Sequence, residues 1–221
     1  MKFLTASKIL MIALVPILIF LIVLNFAGFD PSFYQKKASE YDVQNKVPEA
    51  VSLNEKVFNF IMGKSNKLPA EFNEREKQHL WDVKNIVRIS TIALYAFIAL
   101  FALLLIASAF ILKINNRIIN FMGKVLIFGG FLTVALSAAL LFFINSDFAQ
   151  TFESFHKLLF DKGTYVFDPA KEMIVRLYPE QFFLDIGIRV SKWIIISSAI
   201  IILLGAFLML KSKSKKNKKK G

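Results

Sequence analysis

The sequence predicts an all-α integral membrane protein, four transmembrane helices with a small extracytoplasmic cap. Three observations carry this. The chain of 221 residues is 56% hydrophobic and holds 24 Phe. Its apolar residues gather into four runs free of Asp, Glu, Lys, Arg and His, at 9–29, 89–112, 125–144 and 193–210. Its charges are sorted between alternating connecting segments.

Each run has about 18 residues or more, enough at ~1.5 Å per residue to cross a hydrocarbon core of ~30 Å. A buried helix of a soluble protein keeps a polar face, and these runs have none. The first follows Lys2 and Lys8. It exceeds a signal-peptide core of about 7–15 residues and meets no small-x-small cleavage site before Pro31, so it reads as a retained helix.

An even number of crossings puts both termini on one side. That side holds 1–8, 113–124 and 211–221, with 12 Lys or Arg and no acidic residue. The opposite segments, 30–88 and 145–192, hold all 16 acidic residues and 16 basic ones. The whole formal charge of +12 therefore falls on one side. The positive-inside rule makes that side cytoplasmic, both termini included, and places 30–88 and 145–192 outside. The lysine run 211–221 reads as an irregular tail that meets anionic lipid headgroups rather than nucleic acid. The chain has no Cys, hence no disulfide, thiol nucleophile or thiolate metal site.

Neither outer segment is long enough to bury a core alone, but together they are. We therefore expect one membrane domain over 1–221, with 30–88 and 145–192 as its cap. Pro48 to Phe60 predicts a helix, with Val51, Phe58 and Ile61 on one face and Gly63 ending it. Asn73 and Glu76 have the spacing of an N-cap with its capping-box partner. From there one helix can run into the second crossing, setting His79 roughly 10 Å above Ile86. In the second segment, Phe148, Phe152, Phe155 and Leu159 recur at helical spacing. Such a stripe more often covers a core or a membrane surface than a ligand. A turn at Gly163 and a stop at Asp168-Pro169 follow.

The chain has two histidines, His79 and His156, both in the outer segments. Imidazole is the side chain whose ordinary charge change falls near neutrality. Asp82, at i+3 from His79, shares its helix face and can take a ring N–H, which leans toward His79 as the base while leaving the roles of the two rings unassigned. The aromatics Trp81, Phe152, Phe155, Phe160, Tyr165 and Phe167 surround the pair in sequence and suit a dry, lipid-accepting pocket. A zinc site lacks HExxH spacing, and serine-hydrolase chemistry lacks G-x-S-x-G. Ser154, at i−2 from His156, falls on another helix face. What remains is a pair of imidazoles, one taking a proton and one giving it.

At these residues the sequence resembles the bacterial lipoprotein intramolecular transacylase family. The resemblance lies in "EREKQHLWDVKNIV", with His79, Asp82, Val83 and Lys84, and in the Phe155-His156 pair. It continues in Tyr165, Phe167, Asp168 and Pro169, and in Pro179, Glu180, Phe182 and Phe183. The helix–segment layout matches along the chain, and the specific motifs cover roughly a quarter of it. The family commonly has Trp where Tyr165 stands and Phe where Leu159 stands; both swaps keep bulk.

The resemblance implies transfer of the sn-2 acyl chain of a diacylated lipoprotein from glyceryl oxygen to the α-amine of its N-terminal Cys. It implies His79 and His156 as catalytic residues, with Asp82, Lys84, Tyr165 and Asp168 in support. Trp81, Phe152, Phe155, Phe160, Phe167 and Phe182 would form the substrate pocket. Donor and acceptor are one molecule, so no acyl-enzyme is required; no metal or cofactor is expected. The partners are the lipoprotein and membrane lipid of a bacterial cell membrane; no motif speaks to oligomeric state. Tyr165, Lys84 and backbone amides are the candidate oxyanion donors. A non-enzymatic membrane adaptor with a partner-binding cap is the rival reading.

Overall fold

A computed structural model describes residues 2–113, 115–160 and 165–217. The turn expected at Gly163 and the last four tail residues lie outside them. The described residues form α1 (Lys2–Val23), a π turn (Leu24–Gly28), α2 (Pro31–Glu40), α3 (Val43–Lys46), α4 (Ala50–Ile61) and α5 (Glu74–Leu112). They continue as α6 (Asn116–Ser146), α7 (Phe148–Leu159), α8 (Met173–Leu177) and α9 (Glu180–Asn217). Four helical stretches, Lys2–Gly28, Glu74–Leu112, Asn116–Ser146 and Glu180–Ser214, are long and apolar enough to span a membrane. Three of them contain a charge-free run whole, and the first covers all of the run 9–29 but its last residue.

The chain divides into two compact units. The first comprises 1–25, 92–142 and 190–221, which is most of the apolar helical length. Its helices meet through small residues. A Cβ added to Gly205 would lie 2.8 Å from the carbonyl oxygen of Gly123, so α6 and α9 touch backbone to backbone there. Close approach at glycine is how helices associate where lipid removes the hydrophobic driving force. The Ser7 and Ser108 hydroxyls pair at 3.0 Å between α1 and α5. Large apolar side chains point outward instead, with Phe110 82% and Leu203 70% exposed. This is inverted relative to a soluble protein and fits a lipid solvent. The basic tail departs from expectation. Helix α9 continues through Lys211 to Asn217, and Ser212 donates to the Asn116 carbonyl at 2.8 Å. Lysine is a good helix former and favours a helix C-terminus, so the charge run extends the helix rather than ending it.

The second unit comprises 26–91 and 143–189. Its core is built by both segments: Val43, Val47, Leu53, Val57, Phe60, Phe72 and Leu80 from one, Ile174 and Leu177 from the other. The helix expected from Pro48 starts at Ala50, and Gly63 ends it at φ +73°. That conformation suits a residue without Cβ. Helix α5 opens with the predicted capping box: the Asn73 side chain accepts from the Glu76 amide at 2.9 Å, and Glu76 accepts from the Asn73 amide at 2.7 Å. The other Glu76 oxygen accepts from the Ile174 amide at 2.7 Å, which docks α8 onto α5.

Candidate active site

His79 sits on the second turn of α5. The 39-residue helix is longer than one crossing needs, and its charge-free part begins at Ile89, so His79 precedes the spanning segment. His156 sits near the end of α7 and is the one buried side chain of that helix. The stripe of α7 is not a core face, because Phe155 and Leu159 are exposed. The helix buries its imidazole, keeps Phe152 packed against that ring and presents Phe155, Leu158 and Leu159 outward.

The two rings meet. Their centroids are 6.2 Å apart and their planes differ by 19°. Phe160 packs on both, 4.6 Å from His79 and 5.4 Å from His156. Phe152 sits edge-on to His156 at 4.1 Å, Phe167 edge-on to His79 at 5.4 Å, and Tyr165 tilts over His156 at 5.4 Å. Nδ1 of His156 lies 2.8 Å from the Phe152 carbonyl oxygen. A carbonyl only accepts, so Nδ1 carries the proton and Nε2 keeps a free lone pair. Among the described residues, Nδ1 of His79 is buried without a partner. Burial, then the neighbouring His156, pushes His79 down to about 4. Burial also lowers His156, against the opposing pull of the Phe152 carbonyl. Both rings are therefore neutral near pH 7.

His79 and His156 line one open cavity of about 820 Å³. Phe152, Tyr165, Phe167 and Phe183 supply aromatic wall, Val166, Val175 and Pro179 aliphatic wall, and Arg176, Glu153, Glu180 and Lys46 polar wall. Such a volume and lining suit a lipid-sized ligand.

The remaining expected site residues take other places. Asp82 does not orient His79; it accepts from Gln78 Nε2 at 3.1 Å. Gln78 at i−4 competes with His79 at i−3 for the same carboxylate, and the amide wins because the imidazole turns inward. Lys84 bonds the Ser65 carbonyl at 3.2 Å and lies over the rings of Phe60 and Trp81, so it is spent away from the histidines. Trp81 packs edge-on against Phe60 at 5.0 Å and does not line the cavity. Phe182 is buried against Tyr34 at 4.6 Å, and its neighbour Phe183 reaches the cavity instead. Phe155 and Phe160 touch imidazole without lining the cavity. Asp168 caps the Ala170 amide at 2.9 Å in the turn beyond Phe167.

Residues 9–183 match the sequence family described as lipoprotein intramolecular transacylase Lit. This chain belongs to that family. It is an acyltransferase and an integral membrane protein, and the family name gives lipoprotein as its substrate class. The adaptor reading falls with that. No curated protein matches the chain in sequence. Among solved structures, the membrane-integral lipoprotein intramolecular transacylase Lit from Bacillus cereus superposes with a TM-score of 0.82 at 21% identity, covering 96% of this chain and 98% of that one. Two histidine-substituted forms of the same protein superpose at 0.78, each at 21% identity and covering 96% of this chain. They cover 94% and 96% of the respective relatives. At that identity the likeness is one of fold.

One feature of this transacylase was not legible from spacing. Glu172 accepts from Arg75 Nη2 at 2.6 Å on both oxygens, from the Asp168 amide at 2.6 Å and from Asn73 at 3.4 Å. Burial opposes its ionisation, but these donors, Arg75 foremost, hold its carboxyl below the ordinary range. Arg75 also stacks on Phe167 at 5.1 Å. The network straps the Phe167–Glu172 segment to the start of α5, one turn from His79.

Proposed function

We propose that this transacylase moves the sn-2 acyl chain of a diacylglyceryl lipoprotein onto the α-amine of its N-terminal Cys, using His156 and His79. The observation that carries the proposal is the convergence of two neutral imidazoles on one aromatic-walled cavity. The attacking amine must be unprotonated, and α-amines have a pKa of about 7.7–8.0. His156 is the base: its Nδ1–H is held by Phe152, which leaves Nε2 free to accept. The amine nitrogen adds to the ester carbonyl carbon as its N–H proton passes to His156. The C–O bond to glycerol then breaks, and the same proton goes to the glyceryl oxygen. His79, neutral and buried, offers its ring N–H to that leaving oxygen. C–N and O–H bonds form, N–H and C–O bonds break, and no acyl-enzyme arises.

Positioning does more here than proton transfer. Well-oriented reacting groups contribute about 7–11 kcal/mol, against a factor of about 10²–10⁴ for acid–base help. The rigid aromatic wall around the two rings supports such folding of one lipid arm against another. The one-sided charge supports an outward-facing site with both termini in the cytoplasm.

Purified wild-type protein should convert a synthetic diacylglyceryl lipopeptide to the lyso form, read by mass spectrometry of the peptide N-terminus. His156→Ala and His79→Ala should each abolish conversion while keeping helicity and unfolding temperature. Full activity in either variant removes the two-imidazole mechanism.

A further inference from the structure

Granted the acyl transfer proposed above, we infer that Arg176 is the group that binds the acyl-carbonyl oxygen of the substrate and stabilises the oxyanion formed there. Arg176 lies in the last turn of α8 and lines the same cavity as His79, His156 and Tyr165. Among the described residues its Nε is buried and has no hydrogen-bond partner. Two carboxylates, Glu153 and Glu180, line that cavity, yet neither forms an ion pair with it. A buried N–H with no acceptor is costly to keep, and an ester oxygen entering the cavity would satisfy it.

The backbone beneath Arg176 is fixed. Ile174 and Leu177, on either side, are core residues, and Glu76 holds the Ile174 amide. A guanidinium on such a base is pre-organised, and it stays charged at any working pH. Tyr165, the other candidate donor on this cavity, offers only a neutral hydroxyl, and the Tyr178 hydroxyl is given to Asn54; the remaining polar groups do not match this role. The imidazoles are neutral at rest, the two glutamates have the wrong sign, and Lys46 is an exposed, flexible cation. When the amine adds to the ester carbon, the carbonyl π pair moves onto oxygen. A fixed cation facing that oxygen, once the lipid fills the cavity and displaces its water, lowers the barrier more than it would in bulk solvent. The ligand class is thus an ester carbonyl that becomes an oxyanion.

The test compares full-length wild type with Arg176→Met and Arg176→Lys on the synthetic lipopeptide, with kcat and KM measured separately. Arg176→Met should lose about 10²–10³-fold in kcat, with KM within about threefold and unchanged unfolding temperature. It should also lose affinity for a lipid phosphonate mimic of the tetrahedral intermediate while keeping affinity for the neutral ester. Should Arg176→Met not fold, Arg176→Lys decides; without the fixed Nε–H it must lose at least about tenfold in kcat. Unchanged kcat, or a rise in KM alone as expected for a guanidinium that holds lipid phosphate, overturns the inference. An inactive His156→Ala beside a fully active Arg176→Met overturns it and leaves the histidine mechanism standing. A fully active His156→Ala overturns both.

Discussion

The imidazoles of His79 and His156 lie nearly parallel, 6.2 Å between centroids, with Phe160 packed on both. Among the described residues no hydrogen bond joins them. The rings are held as two separate neutral groups, and in the proposed mechanism one meets the substrate's amine and the other its leaving oxygen.

Their environment sets a pH signature. An unfolded histidine binds its proton near 6.5, whereas folded His79 does so only near 4. Between those values the unfolded chain holds more protons. The stability from the buried neutral His79 ring is therefore complete above pH 6.5 and lost as pH falls toward 4, at up to about 1.4 kcal/mol per pH unit; His156, also lowered by burial, contributes in the same direction. Unfolding temperature against pH checks this. Activity should rise with pH through the amine range of about 7.7–8.0 and show no break near 6.5. Such a break in kcat/KM would mean a histidine at its ordinary pKa, and so a solvated site.

Asp82→Asn should leave turnover within about twofold of wild type, because the carboxylate serves Gln78 and not the imidazole. A loss approaching that of His79→Ala would restore an orienting carboxylate to the mechanism.

Glu172→Gln should destabilise the protein by about 2 kcal/mol, the range for hydrogen bonds to a charged group. The replacement keeps the size but loses the charge pairing with Arg75. Since the strap carries Phe167 against His79, turnover should fall as well. Denaturant midpoints and lipopeptide conversion measure the two effects; an unchanged midpoint contradicts the network.

Gly205→Val should lower the unfolding temperature in detergent, because a Cβ there meets the Gly123 carbonyl at 2.8 Å and Ile127 at 2.9 Å. Overpacking of this kind costs typically about 1–3 kcal/mol. Gly187→Ala is the mild control, meeting only the flexible end of Ile144 at 3.3 Å. Equal effects from the two would refute the close helix contact.

Sequence by itself determined the membrane class and the local punctuation. Charge-free runs have few alternatives in water, and the Asn73–Glu76 box and the Gly63 stop depend on groups within four residues of one another. Helix α2 carries such a mark, Asp30 capping the Ser32 amide ahead of Pro31, but no apolar periodicity extends it into a legible helix, and in the lysine tail helix propensity outweighs charge repulsion. The tertiary structure decided which groups meet. His79 and His156 are 77 positions apart in the chain, and Arg75 reaches Glu172 across a separation of 97. Helix spacing allowed Asp82 either His79 or Gln78, and the packing of α5 chose Gln78. Contacts along a helix follow from its repeat; contacts between distant segments follow only from which faces the shared core buries. That burial turned the two imidazoles inward, kept them neutral and set Arg176 in their cavity.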